Sequence, residues 1–232
     1  MSSQVRLRLL PRVRCMFDEP LQVKVAGLRS RQVVTLRART TDEKGVMFSS
    51  MATYKADGSG EVDLQRVPSL SGTYTGVQPM GLLWSMRPDT LHKIFTKTCS
   101  LNPQVVKFSV HEEEGGMLAE ATNERLLVGD GVIRHPVKDG NIRGVLFTPP
   151  GEALYGHDDM AKNIKEVHLD YFEEAITFFK EQDKVGSKAV GVISISKSGD
   201  LALSIASNLP DVGVTVWING CSANTMLPPL LQ

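Results

Sequence analysis

The stretch AVGVISISKSGDLALSIASNLPD, residues 189–211, decides the fold of the C-terminal part of the chain. It begins with an apolar run at Ala189–Ile193 and ends in a helical pattern from Asp200 to Leu209. A strand, a sharp turn and a helix in this order are the setting of a nucleophile elbow, in which the turn lifts one side chain above the edge of a sheet. Ser196 occupies that position, so we predict Ser196 as a catalytic nucleophile.

The elbow departs from the usual Gly-x-Ser-x-Gly pattern, because Ser194 and Ser198 stand where both flanking residues are normally glycine. In this layout the acid and the histidine of a triad follow the nucleophile in chain order. The five histidines all precede it: His92, His111, His135, His157 and His168. Asp200 and Asp211 follow Ser196, but a first-turn helix charge and a turn former explain them better. We therefore predict that neither the triad acid nor the triad histidine is present in this chain.

Composition excludes several classes of protein. The 232 residues suffice for one large domain or two modest ones, and 26 basic residues balance 26 acidic ones. Zero net charge argues against a nucleic-acid partner. The cysteines Cys15, Cys99 and Cys221 are scattered without metal-ligand spacing, which favours free thiols, no metal and a cytoplasmic location. No apolar run approaches the ~20 residues that span a bilayer, and no cofactor motif is present.

Period-two patterns dominate the first part of the chain. Apolar and polar residues alternate at 34–39 and at 106–110, which predicts strands with one wet face. Val132–Val137 and Ile142–Phe147 flank Asp139-Gly140, a hairpin signal. The basic N-terminus also alternates around Val5, Leu7 and Leu9, which favours a strand over an organelle presequence. Many short strands with regular turns predict a β-sandwich over residues 1–150.

The pattern changes after Pro149–Glu152, which breaks the β periodicity and predicts a domain boundary. Apolar residues then recur at helical spacing from about Ile164 to Gln182. The strand before Ser196, the helix 200–209 and a second strand at Val212–Ile218 complete an α/β order, which predicts parallel strands joined by a right-handed crossover. We assign residues 151–232 to this second domain.

Seven segments together resemble one known family, that of the acyl-CoA thioesterases and bile acid-CoA:amino acid N-acyltransferases. They are Val5–Pro11, Cys15–Pro20, Met80–Met86, Arg143–Pro150, His168–Ala175, the elbow at 194–198, and Ile218–Gly220. The resemblance covers nearly the whole chain. It implies an immunoglobulin-like β-sandwich followed by an α/β-hydrolase domain, which is partial in this chain.

The resemblance also implies a reaction. The substrate would be a fatty acyl-CoA, and Ser196 would attack its thioester carbonyl to form an acyl-enzyme that water hydrolyses. The backbone N–H of Lys197 would donate one hydrogen bond of the oxyanion hole. The acyltransferase branch resembles the hydrolases but has cysteine at the nucleophile position, so Ser196 favours hydrolysis. Ser194 resembles the acyltransferase version of the elbow, so amino-acid conjugation stays the alternative within the enzyme class.

Two departures from the family pattern bear on activity. After Pro149-Pro150 the Gly-rich loop that supplies the second oxyanion donor is missing, and such a donor contributes ~3–4 kcal/mol. The family's acid and histidine would lie beyond Asn219-Gly220, in a part that this truncated chain lacks. Since losing triad members costs on the order of 10⁶ in turnover, we expect the short form to be weakly active or inactive.

A different class of function stays open beside the enzyme. The short form could be a non-catalytic interaction or regulatory module. The resemblance leaves mitochondrial or peroxisomal relatives open beside the cytoplasmic location, and the sequence does not decide the organelle or the formation of a homo-oligomer.

Overall fold

The computed structural model shows a mostly β-sheet chain with few helices, divided into compact units at residues 1–129 and 130–232. The structure describes residues 4–99, 101–113, 115–140, 142–148, 150, 154–156, 168–183, 185–186, 189–195 and 198–219. In these residues no helix is both long and apolar enough to cross a bilayer.

Over its described residues, the first unit contains two sheets and one short helix. Its elements are β1 Arg6–Leu10, β2 Arg14–Met16, β3 Gln22–Ala26, β4 Val33–Thr41, β5 Met47–Lys55, β6 Val62–Asp63, β7 Ser71–Gly72, α1 Gly81–Trp84, β8 Arg87–Pro88, β9 Gln104–Glu112 and β10 Met117–Leu126. One sheet has the order β1-β3-β6 and the other the order β2-β10-β9-β4-β5-β7, with β8 also on β5. The strands predicted at the N-terminus, at 34–39 and at 106–110 are thus confirmed.

The core of the first unit follows from the period-two patterns. On β4 the residues Val34, Leu36 and Ala38 are at most 1% exposed, while the alternate positions face the other way. Buried residues from both sheets, such as Val25 and Phe108, belong to one hydrophobic cluster. Fully burying each large apolar side chain contributes ~1.5–3 kcal/mol, so this cluster holds the unit together.

The second unit contains a β-meander and a small α/β assembly. Its elements are β11 Ile133–Asp139, β12 Ile142–Thr148, β13 Leu154–Gly156, α2 Leu169–Lys180, β14 Val190–Ile195, α3 Gly199–Asn208 and β15 Val212–Ile218. The meander has the order β11-β12-β13, with antiparallel pairs, and β14 pairs with β15 in parallel. The predicted hairpin, the helix in 164–182 and the parallel strands are confirmed, and the hairpin lies in this second unit.

Two features of the local sequence position α3. Asp200 lies in its first turn, where a negative charge favours the helix N-terminus. Leu209 ends it with extended backbone angles, φ −104° and ψ 114°, because the residue before Pro210 is pushed out of the helical region. The helix therefore starts directly after the elbow and stops before β15. The domain boundary predicted after Pro150 stays a prediction.

Candidate active site

The candidate site is the junction between β14 and α3. β14 ends at Ile195 and α3 begins at Gly199, so the strand and the helix are joined by three residues. Ser196 and Lys197, the predicted nucleophile and oxyanion donor, lie outside the described residues. The flanks on either side have the strand and helix that an elbow needs, and the roles of Ser196 and Lys197 stay predictions.

The two serines that flank the predicted turn contact each other. Ser194 Oγ donates a hydrogen bond of 3.0 Å to Ser198 Oγ, which in turn donates one of 2.9 Å to the carbonyl oxygen of Ile195. Ser194 is buried, with 7% of its surface exposed. The small residues expected two positions before and after the nucleophile therefore meet, and their hydroxyls bridge the close approach of strand and helix.

Packing fixes the helix against the sheet. Leu201 and Ile205 of α3 are buried in a cluster with Val192 of β14 and Val212 of β15. α2 adds residues to the same cluster, with Leu169 fully inside it. Both helices thus cover one face of the parallel pair, and the N-terminus of α3 is held at the end of β14.

The two acidic residues after Ser196, Asp200 and Asp211, lie near the two ends of α3. Asp211 Oδ1 forms an ion pair of 2.7 Å with Nζ of Lys180, at the C-terminal end of α2. Asp200 lies in the first turn of α3, and its Oδ1 atom is buried without a hydrogen-bond partner among the described residues. The structure confirms the predicted position of Asp200 in the first turn of α3.

The described histidines lie on other elements. His111 is on β9, His135 is exposed on β11, and His168 is the residue that precedes α2. His92 lies in a loop of the first unit, and His157 is outside the described residues. In the part of the chain that the structure describes, no histidine ring donates a hydrogen bond to a carboxylate, which is the arrangement of a triad base.

Among the described residues, nothing covers the opposite face of the β14–β15 pair, which is apolar. Register places Ile193 beside Val216 and Ile195 beside Ile218, with Val214 on the same face. These five side chains are 44–73% exposed. Parallel sheets normally have both faces covered, so this surface is unusual for its class.

In the described residues, no three His, Cys, Asp or Glu side chains form a cluster that could hold a metal ion. Sequence reasoning missed one polar feature, a set of cations on β4 and β9 of the first unit. The alternation of Arg37 and Arg39 with apolar residues was the sequence signal for these cations, but only the strand register shows that they lie beside Lys107.

Comparison with known families gives two matches along the chain. The family model described as the acyl-CoA thioester hydrolase/BAAT N-terminal region matches residues 18–139. The model described as the BAAT/acyl-CoA thioester hydrolase C terminal matches residues 167–232, which enclose β14, α3 and β15.

Curated relatives give the same result. Mouse acyl-coenzyme A thioesterase 6 is 39% identical over 96% of this chain, and mouse acyl-coenzyme A thioesterase 1 is 37% identical over 95%. Human acyl-coenzyme A thioesterase 6 is 38% identical over 96% of the chain. The chain spans 62% of the length of each of these three relatives. A solved structure of macromomycin matches with 13% identity over 53% of this chain and 99% of its own, with a TM-score of 0.30.

Both halves of the chain therefore match one family, and relatives above 30% identity extend over nearly all of it. The chain belongs to the acyl-CoA thioester hydrolase/BAAT family.

Proposed function

We propose that the protein hydrolyses acyl-CoA thioesters to a free acid and coenzyme A, with Ser196 as the nucleophile. The observation that carries this proposal is the strand, short junction and helix at 190–208, inside the segment matched by the family's C-terminal model. Relatives named acyl-coenzyme A thioesterases support the substrate class. No cofactor enters the reaction.

The chemistry follows from the position of the elbow. The Ser196 hydroxyl attacks the thioester carbonyl, the C–S bond breaks, and the thiol of coenzyme A leaves with a proton. Water then hydrolyses the acyl-serine ester and regenerates the hydroxyl. The backbone N–H of Lys197 donates a hydrogen bond to the oxyanion that forms in each step. The Ser194–Ser198 hydrogen bond supports Lys197 as the oxyanion donor, because it fixes the residues on either side of the turn that contains Lys197.

The proposal also includes the fold of each domain and the location of the protein in the cell. The two sheets of the first unit, which share one buried cluster, support an immunoglobulin-like sandwich. The parallel β14–β15 pair with α3 as its crossover supports a partial α/β-hydrolase domain. The domain boundary after Pro150 belongs to the proposal as a prediction only, since β12 and β13 pair across it. A cytoplasmic location belongs to the proposal too, although the rat relative acyl-coenzyme A thioesterase 2 is named mitochondrial.

Thiol release from palmitoyl-CoA tests the activity, with wild type, Ser196→Ala and Ser207→Ala compared. Ser207 is exposed on α3 and bonds the Leu203 carbonyl, so its variant is a matched control outside the elbow. We expect slow thiol release, as the predicted lack of triad partners implies, which Ser207→Ala retains and Ser196→Ala loses to background. Equal rates in wild type and Ser196→Ala would contradict the proposal. The low turnover expected from the sequence stays a prediction that the same assay measures.

Transfer to an amino acid is the second candidate, favoured by Ser194 in place of glycine at the elbow. It is tested by adding glycine or taurine and detecting the amide by mass spectrometry. Amide formation that depends on Ser196 would replace hydrolysis as the assigned reaction, and its absence would remove the candidate.

A further inference from the structure

Three cations meet on the outer face of the larger sheet in the first unit. β4 and β9 pair so that Arg39 lies opposite Lys107 and Arg37 lies opposite Ser109. Directly opposed residues of an antiparallel pair have Cβ atoms about 5 Å apart, and alternate residues of a strand share a face. Arg37, Arg39 and Lys107, here called the cation cluster, are therefore neighbours on one surface.

The cation cluster lines a cavity with a volume of about 550 Å³. Ser109 and His111 of β9 line it as well, and the Ser109 Oγ and His111 Nε2 atoms are 2.9 Å apart. This volume lies in the range of small-molecule pockets, ~300–1,000 Å³.

The carboxylates around the cavity do not neutralise the cluster. Asp42 accepts hydrogen bonds from the backbone N–H groups of Lys44 and Val46 in its own turn and of Thr96 in the segment before β9, so its carboxylate oxygens are already bonded to groups outside the cation cluster. Glu43 forms an ion pair of 2.6 Å with Lys97.

Glu120 is the remaining carboxylate that lines the cavity, and it lies opposite Ser109 on β10. Among the described residues, no carboxylate forms an ion pair with Arg37, Arg39 or Lys107. The cavity thus keeps an excess of positive charge.

Arg37 gives the second indication of a ligand. Its Nε atom is buried and has no hydrogen-bond partner among the described residues. Buried polar groups in native proteins are nearly always paired, so an unpaired guanidinium N–H at the wall of a cavity points to an acceptor from outside the chain.

We propose that this cavity binds a phosphate-bearing small molecule. The planar guanidinium of Arg37 presents paired donors that match phosphate oxygens, and Arg39 and Lys107 add charge. The site lies within the first unit and does not involve Ser196, so it stands apart from the proposed hydrolysis. Inorganic diphosphate, a nucleotide and coenzyme A share this chemistry, and the experiment separates them.

Isothermal titration calorimetry of the full chain with inorganic diphosphate, ADP and coenzyme A tests the site. We expect binding that the double variant Arg37→Gln/Lys107→Gln weakens by about tenfold or more, since hydrogen bonds to charged groups are the strong ones. The control Arg6→Gln/Arg8→Gln makes the same charge change on exposed positions of β1, in the other sheet, and should leave affinity within about twofold.

Two further variants keep the test decisive if the Arg37 change perturbs folding. Lys107→Gln alone alters an exposed residue and should still weaken binding, whereas Glu120→Gln removes the facing carboxylate and should tighten it. Equal affinity for diphosphate and coenzyme A would identify the phosphates as the whole of the recognised group, and tighter binding of ADP and coenzyme A would add the nucleotide. Absence of binding to all three ligands, or equal weakening by the control pair, would overturn the proposal.

Discussion

Arg125 shows at the scale of one residue how a buried cation is held without a carboxylate. It is 3% exposed, and its Nη2 atom donates to the carbonyl oxygens of Phe17 at 2.7 Å and Glu19 at 2.6 Å. Nε also donates to Phe17, and Nη1 donates to Asn123 Oδ1 at 3.2 Å. The guanidinium therefore fastens the segment after β2 to β10.

Replacing Arg125 with lysine should destabilise the first unit by about 3 kcal/mol. An ammonium group cannot reach all of these acceptors at once, and each part-buried hydrogen bond to a charged group that is lost costs ~1.5–3 kcal/mol. Urea unfolding followed by circular dichroism measures the change. Arg29→Lys, at an exposed position, is the control and should shift the midpoint little; an equal shift in both variants would show that Arg125 has no special role.

Glu43 makes stability depend on pH. Its ion pair with Lys97, together with hydrogen bonds from the Thr98 and Cys99 backbone, lowers the pKa of its carboxyl to about 2 from an ordinary 4.5. A carboxyl whose folded pKa is lowered stabilises the fold above its unfolded pKa and loses this contribution as protons bind.

The stability difference between wild type and Glu43→Gln should therefore be constant above about pH 4.5 and shrink between pH 4.5 and 2. Thermal midpoints of the two proteins across this range provide the measurement. Glu61→Gln, at an exposed position of the same unit, serves as a control for general charge effects. A difference that stayed constant down to pH 2 would contradict the assignment.

At the scale of elements, β14 has two unlike faces. Val192 packs in the cluster formed by α2 and α3, whereas the next residue, Ile193, is 73% exposed. The apolar run at 189–193, together with the helical pattern that follows it, predicted this strand and its helix correctly. It could not tell which face of the parallel pair would stay uncovered, since that depends on how many layers pack on the sheet.

Neighbouring substitutions should separate the two faces. Val192→Thr should destabilise the second unit by about 1 kcal/mol or more, because it buries a hydroxyl in an apolar cluster. Ile193→Thr should change stability by less than about 0.5 kcal/mol and reduce both binding of a hydrophobic dye and aggregation. Chemical unfolding and dye fluorescence measure these effects. Equal destabilisation by the two variants would mean that Ile193 is also packed.

At the scale of the whole molecule, each unit has buried clusters of its own. In the described residues, the first unit has one large cluster, and the second has two smaller ones, around Val137, Ile142 and Leu146 and around Leu169, Leu201 and Ile205. Smaller cores contribute less free energy, so the second unit should open more readily.

Shortening a core side chain in one unit should destabilise that unit and leave the other unit unchanged. Leu201→Ala should cost ~2–5 kcal/mol and speed amide hydrogen exchange in β14 and β15, with little change in β4 and β9. Leu36→Ala, whose side chain is 1% exposed in the first unit, should produce the reverse pattern. Hydrogen exchange read by mass spectrometry distinguishes the two. Faster exchange throughout the chain in either variant would show that the units unfold together.

The amino-acid sequence alone determined β1, β4, β9, the β11–β12 hairpin, α2, β14, α3 and β15, and the chemical character of the residues at the predicted turn. Alternation along β4 and helical spacing along α2 reflect burial of local faces, and the elbow is read from consecutive residues. Only the tertiary structure decided which distant residues become neighbours. Thr40 bonds the Val105 carbonyl across 65 positions, Arg125 bonds Phe17 across 108, and the cation cluster depends on the same kind of pairing. The physical reason is that strand register is set by long-range packing, which leaves no local signal in the chain.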